Sequence, residues 1–169
     1  MLNSGNSAAG DSMNESIDTN MQLTEQMAEM TPKIAASNAM WKIVIVHRPP
    51  YTNGLNHDPG STAVRFDYAS LGFDIVISAH SHAYEYIVVN DTPYFVQGLG
   101  GATKHDFINP LLEGTEIAYN DKHAYTICTA LGDELTFRTY TIDDELIDTR
   151  IFNSVNNTPT ATPTSTPDN

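Results

Sequence analysis

Three of the chain's six histidines stand where runs of β-branched residues stop. His47 closes the run in Trp41-Lys-Ile-Val-Ile-Val-His47-Arg-Pro-Pro-Tyr51, and His80 and His82 close the one in Asp74-Ile-Val-Ile-Ser-Ala-His80-Ser-His82-Ala-Tyr84-Glu85. Neutral imidazole is the commonest protein ligand for a catalytic divalent metal. Imidazoles at the ends of buried strands can converge at one edge of one sheet. The His-x-His step can point two rings into one cavity. The chemistry this set could do is therefore half of a metal centre. Plainer readings stand beside it: a strand-end imidazole bonded to backbone for His47, and two solvent-facing loop residues for His80 and His82. Pro49 and Pro50 stiffen the turn after His47, which favours a ring held in place.

The elements that must position these rings read as one β-rich half of an α/β sandwich, mostly strands with one or two helices. Leu23, Met27, Met30 and Ile34 recur at helical spacing, with Pro32 expected to kink or end the first part of that helix. Strands are expected at Lys42 to Val46, Phe73 to Ser78, Glu85 to Val89 and Tyr94 to Gln97, with a helix-like stretch from Thr62 to Leu71. Asn90-Asp91 signals a tight turn between the third and fourth strands. Ala124 to Phe152 reads as three further strands, turned at Gly132-Asp133 and Asp143-Asp144. Gly98, Gly100 and Gly101 suggest backbone turning near the histidines rather than a phosphate cradle, because no helix follows them.

The hydrophobic signal is confined to the middle of the 169-residue chain. Residues 1–20 are rich in Ser, Asn and Gly and read as disordered, residues 21–153 as the folded part, and residues 154–169 as a Thr/Pro-rich linker or tail. A net charge of −13 with eight Lys and Arg argues against nucleic-acid and anionic-membrane partners, which need basic patches. No stretch approaches a membrane span, and Met1 is not followed by a secretory signal pattern. The single cysteine, Cys128, lies in an apolar strand-like run and is expected to be a small core residue.

The order of motifs resembles the C-terminal half of a calcineurin-like metallophosphoesterase, in particular the purple acid phosphatases. The residues that carry the resemblance are His47 with its Pro-Pro-Tyr turn, then His80-Ser-His82-Ala-Tyr-Glu85, then Tyr94-Phe-Val-Gln-Gly98-Leu-Gly-Gly-Ala102. The alternating Leu135 to Ile142 stretch and Asp148 resemble the family's last strands, so the likeness covers about Met21 to Asn153. It implies the C-terminal half of a metallophosphoesterase α/β sandwich, with His47, His80 and His82 as metal ligands and the two members of the His-x-His pair on different ions. His57 resembles the histidine that contacts substrate phosphate. There it could donate a proton to the leaving alcohol, or be an ordinary loop residue. Asp58 would raise its basicity or simply be solvated. Two departures are visible: Ala79 stands where the family usually has Gly before the first His, and Tyr86 where purple acid phosphatases tend to have Arg. His105 and His123 match no metal motif and are expected to be structural or surface residues.

The family's early Asp-x-His, Gly-Asp-x-x-Asp and Gly-Asn-His motifs are not in the sequence. The chain is accordingly expected to be a fragment of a longer enzyme, completed by a missing N-terminal half in cis or in trans. The full-length enzyme would hydrolyse phosphate esters with two metal ions, iron, zinc or manganese, activating water. Two cations held by three imidazoles alone would repel each other without compensation, so the chain by itself is expected to bind one ion weakly and to be inactive. The Thr/Pro tail suggests an extracellular or cell-surface location for the full-length protein. Two alternatives are a non-catalytic metal-binding remnant and a secreted β-rich binding module on a Thr/Pro stalk.

Overall fold

The computed structural model describes residues 23–55, 57–154 and 160–161. The expected disordered segment, residues 1–20, lies outside these, as does most of the expected tail. Helix α1 spans Leu23–Ala35 and runs through Pro32. Met27 is buried, and Met30 and Ile34 pack against the same core, so the apolar stripe seen in the sequence anchors the helix on both sides of the proline. No helix among the described residues is long and apolar enough to cross a membrane.

Five strands form the first sheet: β1 (Ile43–Ile45), β2 (Ile75–Ser78), β3 (Tyr84–Val89), β4 (Thr92–Gln97) and β5 (Thr115–Tyr119), in the order β1-β2-β4-β3-β5. The pairs β1/β2 and β2/β4 are parallel, and β3 pairs antiparallel with both β4 and β5. Asn90 and Asp91 both take positive φ, 48° and 60°, which matches the right-handed twist of the β3-β4 hairpin. A second, antiparallel sheet contains β6 (Ala124–Leu131), β7 (Glu134–Thr141), β8 (Leu146–Asn153) and the short β9 (Thr160–Ala161).

Side-chain alternation on the first sheet makes two cores. Val44, Val46, Val76, Ile87 and Tyr94 meet α1 on one face. Ile75, Tyr84, Tyr86 and Phe95 face the second sheet on the other, against Leu135, Phe137 and Phe152. Phe95 is fully buried, with its ring 4.8 Å from that of Phe137; burial of such a side chain stabilises by about 1.5–3 kcal/mol. Polar groups join the layers as well. The Tyr84 hydroxyl donates to Asp148 at 2.6 Å, Arg150 Nε donates to both Asp148 oxygens, and the Arg150 guanidinium lies 4.0 Å over the Tyr86 ring and pairs with Glu116. Tyr86, the departure after Tyr-Glu, is thus a buried platform for an arginine from β8.

Two expectations are corrected. The stretch Thr62 to Leu71 is not a helix beyond a single 3-10 turn at Thr62–Val64. Asp67 accepts from both the backbone N–H and the hydroxyl of Ser70, and the Tyr68 hydroxyl donates to the Val64 carbonyl, so local side-chain bonds replace helical ones. Cys128 is exposed rather than a core residue. It sits opposite Phe137 on β6, a strand that is mostly exposed beyond Ala124.

Candidate metal centre

The parallel register of β1 and β2, Val44 opposite Val76, brings their C-terminal ends to one sheet edge. Val46 N–H donates to Ile77 O and Ala79 N–H to His47 O, which carries the ladder past both strands. Ala79 keeps a negative φ, and the left-handed turn falls on His80 instead, at φ 61°. A non-glycine residue held there stores strain of the kind that clusters at functional sites. The turn directs His80 at His47: His80 Nδ1 and His47 Nε2 are 3.1 Å apart, with the rings edge-on at 4.9 Å.

That separation is informative. Two nitrogens bound to one ion at about 2.0–2.1 Å lie about 2.9 Å apart at a right angle and about 3.3 Å apart at a tetrahedral angle. The 3.1 Å contact is a hydrogen bond in which one imidazole donates to the other, and its length also falls within the spacing of two ligands on one ion. His47 is exposed towards solvent yet titrates below its ordinary 6.5, chiefly through desolvation, helped by the Arg48 charge and by His82. The neutral ring this favours is the form that binds a metal.

His82 faces a different neighbour. Its Nδ1 is 2.7 Å from the Thr103 carbonyl, which can only accept, so Nδ1 carries the proton and Nε2 keeps its lone pair. His57 is buried, with its ring 4.9 Å from His80 and stacked at 4.8 Å on His105. His105 in turn stacks at 4.2 Å on His82. All four histidines singled out in the sequence thus meet in one ring-to-ring cluster, and His105, set aside there, completes it. Its only sequence signal was a place soon after the glycine-rich turn. His123 stays apart, its Nδ1 3.1 Å from the Leu99 carbonyl. Asp58 is exposed to solvent.

The loops carrying the cluster are tied to the sheet by one buried carboxylate. Glu85, fully buried on β3, accepts from the Thr52 hydroxyl, from Asn53 N–H at 2.8 Å and from Asn53 Nδ2 at 2.6 Å. Asn53 Oδ1 accepts from Leu112 N–H, so the 52–54 turn is bonded on both sides. Close packing against Ser81 needs two glycines. A Cβ on Gly98 would lie 1.8 Å from the Ser81 carbonyl oxygen, and one on Gly54 would lie 2.0 Å from Ser81 Oγ. Gly98 therefore lets the end of β4 pass against the 80–82 loop, whereas Gly100 faces open space.

Among the described residues no group of three or more His, Cys, Asp or Glu side chains is arranged to hold a metal ion. The described residues bring one imidazole pair together and place the His82 ring nearby, a donor set that would suit part of a metal centre.

The family model described as calcineurin-like phosphoesterase matches residues 7–84, a range that includes both histidine motifs through His82. No curated protein matches the chain. Among solved structures, a purple acid phosphatase from yellow lupin (Lupinus luteus) seeds is similar at TM-score 0.70 and 17% identity, over 88% of this chain and 32% of that one. GAP50, the anchor in the inner membrane complex of Plasmodium, is similar at TM-score 0.67 and 18% identity, over 80% and 45% of the two chains. This chain therefore spans about a third of the phosphatase and less than half of GAP50. Residues 7–84, just under half of the chain, match the calcineurin-like phosphoesterase family model, and the α/β architecture is the metallophosphoesterase fold, similar to the C-terminal part of a purple acid phosphatase.

Proposed function

We propose that this chain is the histidine-bearing part of a two-metal hydrolase of phosphoric esters. The observation that carries the reading is the 3.1 Å spacing of His47 Nε2 and His80 Nδ1 at the common end of two parallel strands. In this reading His47 and His80 hold one ion, and His82, through Nε2, reaches a second. Bound ions, iron, zinc or manganese, would supply water activation and charge neutralisation at the phosphoryl group. His57 borders a narrow cleft with Arg48, Pro49, Ser61 and His80, from which an imidazole N–H can donate to a phosphoryl or leaving oxygen. Arg48 adds positive charge at the same mouth.

Among the described residues no carboxylate joins the histidines in a metal-holding group, and in this reading the bridging carboxylates come from outside them, in cis or from a partner chain. Two features support a covering partner. Among the described residues β1 and β6 each pair on one side only. A groove of about 260 Å³ runs between Ile77, Gln97, Tyr125, Cys128 and Phe137, and Ile45, Ile127 and Leu131 are exposed. Open edges and exposed apolar side chains of this kind invite strand pairing. By itself the chain is expected to be inactive. Purified chain assayed with an aryl phosphate and added Zn²⁺, Mn²⁺ or Fe²⁺ tests this: no turnover is expected. Robust metal-dependent turnover that is lost in His80→Ala would overturn the half-site account.

A second reading, a folded but non-catalytic protein, is favoured by the similarity to GAP50, whose described role is that of an anchor. It predicts the same lack of turnover, and differs in that adding a carboxylate-bearing complementary chain restores none. Placement of the full-length protein outside the cell rests on the Thr/Pro tail alone.

A further inference from the structure

We propose that His105 is a positioning residue of the cluster, fixing the ring plane of His82 and spacing it from His57. The proposal rests on the reading of His82 as a metal ligand. His105 and His82 clasp each other reciprocally: His105 N–H donates to the His82 carbonyl at 3.0 Å, and His82 N–H donates to His105 Nδ1 at 3.0 Å. Both polar groups of the His82 backbone are thus held by one residue. Because Nδ1 accepts, the proton of a neutral His105 lies on Nε2. The ring stacks on His82 at 4.2 Å and 23°, and on His57 at 4.8 Å and 28°, so it acts as a plate between them.

The segment bearing His105 fixes the tautomer as well. Thr103, two residues earlier, accepts from His82 Nδ1, while the stack sets the direction in which Nε2 points. Metal-binding histidines usually have their second nitrogen bonded in this manner, and loss of such a partner typically costs 10–100-fold in metal affinity. The segment is itself anchored. Asn120 Nδ2 donates to the His105 carbonyl at 2.7 Å, Lys104 donates to the Asp121 carbonyl, and Leu55 N–H donates to the Asp106 carbonyl at 2.6 Å. His105 therefore links the loop of His82, the loop of His57 and the β5-β6 connection, three segments far apart in sequence.

Three variants of the full chain separate its two contacts. His105→Asn keeps an acceptor near the place of Nδ1 and removes the plate; His105→Phe keeps a plate and removes the acceptor; His105→Ala removes both. The first readout needs no metal: long-range ¹H–¹⁵N spectra at pH 8 report the tautomer of His82. Wild type is expected in the Nδ1–H form and His105→Ala in a mixture, with the other two variants between them. The second readout, also metal-free, is the line width of the His82 ring protons: one sharp set is expected in wild type, loss by exchange broadening in His105→Ala, and partial recovery in His105→Asn. An unchanged His82 tautomer together with unchanged His82 ring signals in His105→Ala would overturn the proposal. Should His105→Ala not fold, wild-type behaviour in both His105→Asn and His105→Phe would overturn it equally. Absence of Co²⁺ binding by wild type would sink the metal-centre reading instead, and the tautomer readout would still decide on His105.

Discussion

Replacing Glu85 tests whether the loop that carries His57 is held by one buried acceptor. In Glu85→Ala three buried donors lose it: the Thr52 hydroxyl, Asn53 N–H and Asn53 Nδ2. The last keeps a second partner, Thr115 Oγ1 at 3.0 Å, so two donors are left fully unsatisfied. At about 1–3 kcal/mol for each, plus the space left by the side chain, the loss is about 3–5 kcal/mol, a large share of the stability of a small domain. Glu85→Gln should cost less, about 1–2 kcal/mol. Its carbonyl can still accept from Asn53, and its amide can donate to the Thr52 hydroxyl oxygen, so mainly the acceptor of the Thr52 hydroxyl is lost. Urea unfolding followed by circular dichroism measures both. The pH dependence has a definite sign. Burial outweighs the three donors and raises the Glu85 carboxyl above its ordinary 4.5. The folded state then holds the proton more tightly than the unfolded chain, so this contribution to stability is fully present below 4.5 and is lost as pH rises through the native value. The gap between wild type and Glu85→Gln should therefore be wider at pH 4 than at pH 7. A Glu85→Ala cost under about 1 kcal/mol, or a Gln variant weaker than Ala, would refute the reasoning.

Two further outcomes follow from the geometry. Gly98→Ala forces a Cβ against the Ser81 carbonyl and should destabilise by about 1–3 kcal/mol or more while displacing the 80–82 loop, whereas Gly100→Ala, in open space, should be neutral; thermal melts of the pair measure this. Cys128, exposed on β6, should react with a disulfide reagent in native buffer, slowed because desolvation raises its thiol pKa; labelling only in denaturant would contradict its placement.

Much of this was legible in the chain because strand and turn signals are local. The runs before His47 and His80 became adjacent parallel strands, and Gly132 takes the positive φ, 61°, that its hairpin requires. β5 was missed because Thr115–Tyr119 is half-buried at most and has no apolar run to announce it. The Thr62 to Leu71 stretch misled because helical spacing cannot register the competing bonds of Asp67 and Tyr68. Cys128 misled because an apolar run says that a strand exists, and not whether another layer covers it. At the site, strand-end placement pointed to His47, His80 and His82, and the family resemblance pointed to His57. His105 reaches His82 only through the path of the segment after β4, which a sequence reading without tertiary contacts does not contain.

The most direct test is a Co²⁺ titration of the full chain, followed by visible absorption, beside His47→Ala, His80→Ala and His123→Ala. The account predicts weak, saturable binding of a single ion by wild type and by His123→Ala, and its loss when either member of the His47–His80 pair is removed. Binding that persists unchanged in His47→Ala and His80→Ala would contradict it.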